Sequence, residues 1–270
     1  MSTIPFVKAH GARNDFLLTW RAELPGEIRD PATAARAICD RHTGVGADGW
    51  ILLSASADAD AAIELFNSDG SASEISGNGT RCAAALLIEE GRAREEVAIA
   101  TGAGIKRLNL LSRGSNYQFE MNMGRAQIEE LHSSILPGRE TVILNVGNPQ
   151  CAVFVPDFDF DWRTLGADLE RHPRFPRRTN VSFARVVDRH TLEVCFFERG
   201  AGETMSSGTG ATGAGAAAVA LGLAESPVFV LTPAGVLILR WRSLNGNDEE
   251  IFLTGPAQIV ARGNFCWNPQ

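Results

Sequence analysis

The sequence is short of paired cysteines, of positive charge and of long apolar runs, and each shortage argues against a class of protein. Its five cysteines, Cys39, Cys82, Cys151, Cys195 and Cys266, are odd in number and widely spaced, with no CxxC pair. They argue against a disulfide framework or a zinc site, so no metal is expected, and they point to a reducing, cytoplasmic setting. Lys and Arg number 25 against 32 Asp and Glu, a net charge of −7 with the signs interspersed. That balance argues against a nucleic-acid or anionic-membrane surface, although a few local donors can still hold an anionic substrate. The least polar long window, residues 208–224, is mostly Gly and Ala, too small and too short to span a bilayer. The opening MSTIPFVKAHGARNDF has neither a basic n-region nor an apolar h-region, so no signal peptide is expected. HExxH, GxSxG, the Walker loop and a Rossmann fingerprint are missing. What is present is 270 residues, 44% apolar and 21% charged. These are ordinary globular values for one large or two small domains.

Strand-like runs fall at residues 16–20, 50–54, 61–67, 118–123, 141–145, 152–155, 181–187, 192–198, 228–232, 236–241 and 250–254, several bounded by Gly, Asn, Asp or Pro. Thr232-Pro-Ala-Gly235 between two apolar runs reads as a hairpin turn. Helices are predicted at 30–41, with Pro31 near the start, and at 77–91, 156–168 and 208–222. The mix predicts α/β or α+β with sheet dominating.

The chain also echoes itself. Ser76-Gly-Asn-Gly-Thr-Arg-Cys-Ala-Ala-Ala85 and Ser207-Gly-Thr-Gly-Ala-Thr-Gly-Ala-Gly-Ala216 align 131 residues apart, about half the chain. Each copy follows a strand and opens a helix of small residues, as a duplicated domain would. Chance in an Ala/Gly-rich chain is the competing account. A Gly-rich helix N-terminus presents amide donors and the positive end of the helix dipole, so it suits an anion. Two copies can grip one carboxylate from both sides and leave Ser76 and Ser207 on opposite faces of its α-carbon. Such a geometry suits proton removal at one face and delivery at the other.

At these residues the sequence resembles the diaminopimelate epimerase family, across almost its whole length. The matching segments are Lys8-Ala-His-Gly-Ala-Arg-Asn-Asp-Phe16, Arg41-His-Thr-Gly-Val-Gly-Ala-Asp-Gly49, Phe66-Asn-Ser-Asp-Gly70, Gly77-Asn-Gly-Thr-Arg-Cys82, Gly147-Asn-Pro149, Arg178-Thr-Asn-Val181 and Glu198-Arg-Gly-Ala-Gly-Glu-Thr204. The resemblance implies an α/β (α+β) fold of two pseudo-symmetric domains, each a curled mixed sheet around a central helix. Residues 1–115, with 258–270 returning, would form one domain and 116–257 the other, with the site between them. It further implies cofactor-independent epimerisation of a small amino-acid-type carboxylate by two cysteines, one a thiolate base and one a thiol acid, with a homodimer as a possible assembly. The family's carboxylate-gripping amides fall on Gly77, Asn78, Gly208 and Thr209. Its recognition of the substrate's far end falls on Asn14, Asn67, Asn148, Asn180, Glu198 and Arg199. These types are suitable, since Asn both donates and accepts and Arg can clamp a carboxylate. Asp48 and Asp69, each near a glycine, read as turn residues, and His10 and His42 as structural ones.

The sequence departs from the family at the chemistry. The two catalytic cysteines would stand at 76 and 207, and both positions are serine; the family's His after Gly-Asn-Pro is Gln150. Cys82 lies about 240° round the helix from Ser76 and is expected to be packed. A thiol titrates near ~8.5 and an alcohol nearer water's ~15.7. The gap of about 7 units is worth roughly 9–10 kcal/mol, more than a helix N-terminus supplies. A serine base therefore needs a strong acceptor beside it. Four accounts remain open. The chain is an isomerase with Glu198 as single base and Ser76 and Ser207 as donors, or a diaminopimelate epimerase, including an inactive Cys-to-Ser form, or a lyase or dehydratase, or a catalytically silent amino-acid binder.

Overall fold

The computed structural model describes residues 2–114, 116–243 and 249–268. Residue 115 at the expected domain boundary and residues 269–270 of the expected returning segment lie outside the described residues. The chain divides into two compact units, Met1–Glu120 with Pro256–Gln270, and Met121–Gly255.

In the first unit β1 (Ser2–Gly11) folds back antiparallel on β2 (Asn14–Trp20). The reversal takes only Ala12 and Arg13, at φ 49° and 61°. Positive φ at both positions is the type I′ form of a two-residue hairpin, usually met by Asn-Gly. Then follow α1 (Pro31–Cys39), β3 (Gly49–Ser54) parallel to β2, and β4 (Ala61–Asn67) antiparallel to β3. The short β5 (Ala72–Ser73) leads into α2 (Gly77–Glu89). β6 (Glu96–Thr101) returns parallel to β4, and β7 (Gly104–Arg113) pairs antiparallel with β6. β8 (Tyr117–Gly124) carries the chain into the second unit.

The second unit repeats this plan. β9 (Gln127–Glu130) pairs with β10 (Thr141–Asn145), and β10 is antiparallel to β11 (Pro149–Phe154). After α3 (Trp162–Glu170), β12 (Asn180–Asp188) lies parallel to β11 and β13 (Thr191–Glu198) antiparallel to β12. The short β14 (Gly202–Thr204) precedes α4 (Gly208–Ala220). β15 (Val228–Thr232) is parallel to β13, β16 (Gly235–Ser243) antiparallel to β15, and β17 (Glu249–Trp267) antiparallel to β16. Thr232 faces Gly235 across the expected two-residue turn. The same order of antiparallel and parallel steps in both units is what the sequence echo predicts. The fold is mixed α/β, mostly strand with four α-helices among the described residues.

Each repeat wraps its strands around one helix. α2 packs against β1, β2, β3 and β6, and α4 against β10 to β13, β15 and β16. Both helices are buried along almost their full length. Small residues make this enclosure possible. A Cβ at Gly210 would lie 2.7 Å from Phe196 Cδ1, and one at the equivalent Gly79 would lie 2.9 Å from Ile51 Cδ1. Outside the wrapped helices, α1 and α3 cover further apolar clusters, around Trp50 and Ile38 in one unit and around Phe183 and Trp162 in the other.

Two sequence expectations need correction. The helix expected over 156–168 begins only at Trp162, because Asp161 accepts from Thr164 N at 3.1 Å and Thr164 Oγ1 at 2.7 Å and so caps it. The strand expected over 250–254 runs on through Pro256 to Trp267. Its ladder with β16 ends at Thr254 and its ladder with β1 begins at Gln258, so neither asks Pro256 for an N–H. No helix among the described residues is long and apolar enough to cross a membrane.

Candidate functional site

Ser76 enters α2 in an extended conformation and its Oγ accepts from Gly79 N at 3.1 Å. This N-cap satisfies one donor of the first turn, while the helix directs the amides of Gly77 and Asn78 along its axis. Beside them runs a chain of side chains. Asn78 Nδ2 donates to Asn14 Oδ1 at 3.2 Å, and Asn14 Nδ2 donates to Asp48 Oδ2 at 2.7 Å. Asp48 in turn accepts from Arg41 at 2.8 Å, and Arg41 also reaches Asp15 at 2.7 Å. On Asp15, burial is outweighed by the hydrogen bonds and charges of Arg41 and Lys8, which hold its carboxyl below the usual range. Asp48 goes the other way, pushed up by burial and by the charge of Asp15. Asp48 is thus the anchor of Asn14 and more than a turn residue, whereas Asp69 caps its turn by accepting from Ser71 N at 2.8 Å. Asn67 stays within that same turn, donating to Ser71 Oγ at 3.0 Å.

The second unit has the same frame and a different charge. Ser207 caps α4, its Oγ accepting from Gly210 N at 3.0 Å. The same hydroxyl donates to Glu198 Oε2 at 2.8 Å, and Thr204 Oγ1 donates to Glu198 Oε1 at 2.7 Å. Glu198 stands 131 residues after Asn67, so one unit carries a carboxylate where the other carries an amide. Ser76 has no carboxylate partner among the described residues. Asn148 Nδ2 donates to Thr209 Oγ1 at 3.2 Å, matching the Asn14–Asn78 pair, and Gln150 Nε2 donates to Asn148 Oδ1 at 2.7 Å. Asn180 donates to the Pro149 carbonyl at 2.9 Å and accepts from Arg199 N at 3.0 Å, which ties the Glu198–Arg199 turn to β11. Gly208 opens the helix between these groups.

One supporting residue was not foreseen. Glu170, 2% exposed, accepts from Gly200 N at 3.1 Å, Arg171 Nε at 3.1 Å and Arg178 Nη1 at 3.3 Å. It holds the backbone just past Glu198 and Arg199. Apart from the adjacent Arg171, its partners lie 8 and 30 residues away in sequence, so no local pattern marks it.

The thiols offer no substitute for Ser76 and Ser207. Burial pushes Cys39, Cys82 and Cys151 up to about 12. Cys195 rises to about 11 through burial and the nearby Glu193 and Glu203. At neutral pH these four are protonated, and Cys82 is packed within α2 as its helical position predicts. Among the described residues no cluster of three His, Cys, Asp or Glu is arranged to hold a metal.

The family model for diaminopimelate epimerase matches residues 6–129 and 142–260. A diaminopimelate epimerase of Moorella thermoacetica is 39% identical over 280 residues, covering 96% of this chain and 98% of that protein. One from Pelotomaculum thermopropionicum is 37% identical over 278 residues, covering 96% and 98%. Among solved structures, a hydroxyproline epimerase from Agrobacterium vitis superposes with a TM-score of 0.75 at 17% identity, covering 97% of this chain and 92% of that one. At that identity the superposition speaks for the fold alone.

Proposed function

Because this chain belongs to the diaminopimelate epimerase family and is an isomerase of the epimerase type, we propose that it moves a proton on a small amino-acid-type carboxylate without a cofactor, with Glu198 as the proton carrier in place of a cysteine pair. The observation that carries this reading is the 2.8 Å hydrogen bond from Ser207 Oγ to Glu198 Oε2. A serine hydroxyl alone ionises far too weakly to act as a base, and a carboxylate within hydrogen-bond reach is the acceptor it needs. In the proposed step the substrate C–H proton passes to Ser207 Oγ as Ser207 hands its own hydrogen to Glu198. The electron pair left on carbon spreads into the adjoining carboxylate. The amides at Gly77, Asn78, Gly208 and Thr209 meet that growing negative charge. Reversal of the same transfers regenerates the substrate; inversion follows when the Ser76 hydroxyl delivers its proton to the other face of that carbon and regains one from water. Ser76 donates a hydrogen bond, Asn14, Asn67, Asn148, Asn180 and Arg199 recognise the far end of the substrate, and Gln150 orients Asn148.

The curated relatives make diaminopimelate the first substrate to offer. In deuterated water the wild-type protein is expected to place deuterium at the α-carbon, and Glu198→Gln to lose that exchange. Undiminished exchange in Glu198→Gln removes Glu198 from the reaction. Binding without exchange makes the protein a silent binder, and release of water or ammonia makes it a lyase.

A further inference from the structure

Arg81 is a buried cation with no counter-charge among the described residues. It lies one turn into α2, four residues after Gly77, and is wholly buried. Its Nε donates to the Pro256 carbonyl at 3.0 Å, and its Nη2 reaches back to Asn78 Oδ1. Its Nη1 is buried without a hydrogen-bond partner among the described residues. No carboxylate among the described residues pairs with it, and burial pulls its pKa down to about 10. An unpaired buried charge is expensive to keep, and functional sites are where such expense is found. The contact with Asn78 aims the guanidinium at the first turn of α2, the end where dipole and amides already favour an anion.

The same contact sets a direction. Because Arg81 donates to Asn78 Oδ1, the Asn78 amide must present Nδ2 to Asn14, and Asn14 must present its own Nδ2 to Asp48. Both amides are thereby held in one of their two orientations. The second unit places no cation at the equivalent position. The position 131 residues on is Thr212, whose hydroxyl donates to Gly208 O at 2.8 Å.

We propose that Arg81 is the counter-charge of the α2 cradle: it balances the carboxylate held at Gly77 and Asn78 and fixes the Asn78 amide beside it. This rests on the reading that the N-terminus of α2 takes a substrate carboxylate. Four residues of helix rise about 6 Å, and at an effective dielectric near 20 a charge at that separation changes affinity by about tenfold to a hundredfold.

The test compares diaminopimelate with its diamide, in which both carboxylates are replaced by neutral amides and both ammonium groups are kept, by titration calorimetry. Wild-type protein is expected to prefer the acid, Arg81→Gln to lose about tenfold or more of that preference, and Arg81→Lys to keep it. A packing role alone would weaken acid and amide alike. Full preference in Arg81→Gln overturns the role of Arg81, and a wild-type protein indifferent to amidation overturns the cradle reading itself. The unmutated protein gives a second reading that does not depend on a variant folding. The Arg81 Nε–H resonance is expected to shift on saturation with diaminopimelate but not with the diamide. No shift with either counts against the proposal.

Discussion

At the scale of single residues, Asp15 and Asp48 share one arginine and respond to acid in opposite senses. Asp15 has a folded pKa below its unfolded one, so its stabilisation is present above the usual carboxylate range and fades as pH falls through the folded value. Asp48 is raised and takes up its proton first. Arg41, half-exposed, links the two. Arg41→Ala is expected to cost about 1 kcal/mol at neutral pH, allowing for solvent screening. The gap from wild type should narrow at an acidic pH below the usual carboxylate range, as Asp15 takes up its proton on passing through its lowered folded value. Urea unfolding at the two pH values measures this, and an unchanged gap argues against the assignment. The cysteines give a second expectation. Iodoacetamide should label exposed Cys266 and leave activity intact, since the buried thiols are protonated and Ser76 and Ser207 do not react. Mass spectrometry with an activity assay reads both. Much of the candidate site was legible residue by residue because the duplication prints it twice: the serine and the first and third helix residues, both glycine, recur at one offset. Glu170 and Arg81 were not legible as supports. Their meaning comes from partners that converge only in the fold.

At the scale of elements, the glycines of the wrapped helices make a prediction whose sign is informative. Gly→Ala inside a helix ordinarily stabilises by about 0.5–1 kcal/mol. At Gly210 the added methyl meets Phe196 at 2.7 Å, and overpacking costs about 1–3 kcal/mol. Gly210→Ala should therefore lower the thermal midpoint, whereas an increase would mean that Phe196 gives way easily. The helices themselves were readable from caps and small-residue runs, and the strands only where one face is apolar. β7 went unread because nearly all its residues are exposed or half-exposed, leaving no alternation to detect. β1 contains Pro5, which discourages a strand assignment, and β9 is only four residues long. β17 was cut short by Gly255 and Pro256, a break in pattern that the change of ladder accommodates.

At the scale of the whole molecule, the last strand belongs to both units. Its early half continues the ladder from β16 and its later half lies beside β1. Truncation after Gly255 is expected to strip hydrogen-exchange protection from β1 while α4 remains protected. Equal loss in both would show that the two units do not melt separately. Duplication gave the two halves one frame, and the exchange of Asn67 for Glu198 broke their equivalence. Under the proposed chemistry that lopsidedness has a stereochemical consequence. With the one carboxylate beside Ser207, a hydrogen lifted there can be handed back to the face it left, so substrate tritiated at that carbon and recovered before inversion should keep part of its own label through internal return.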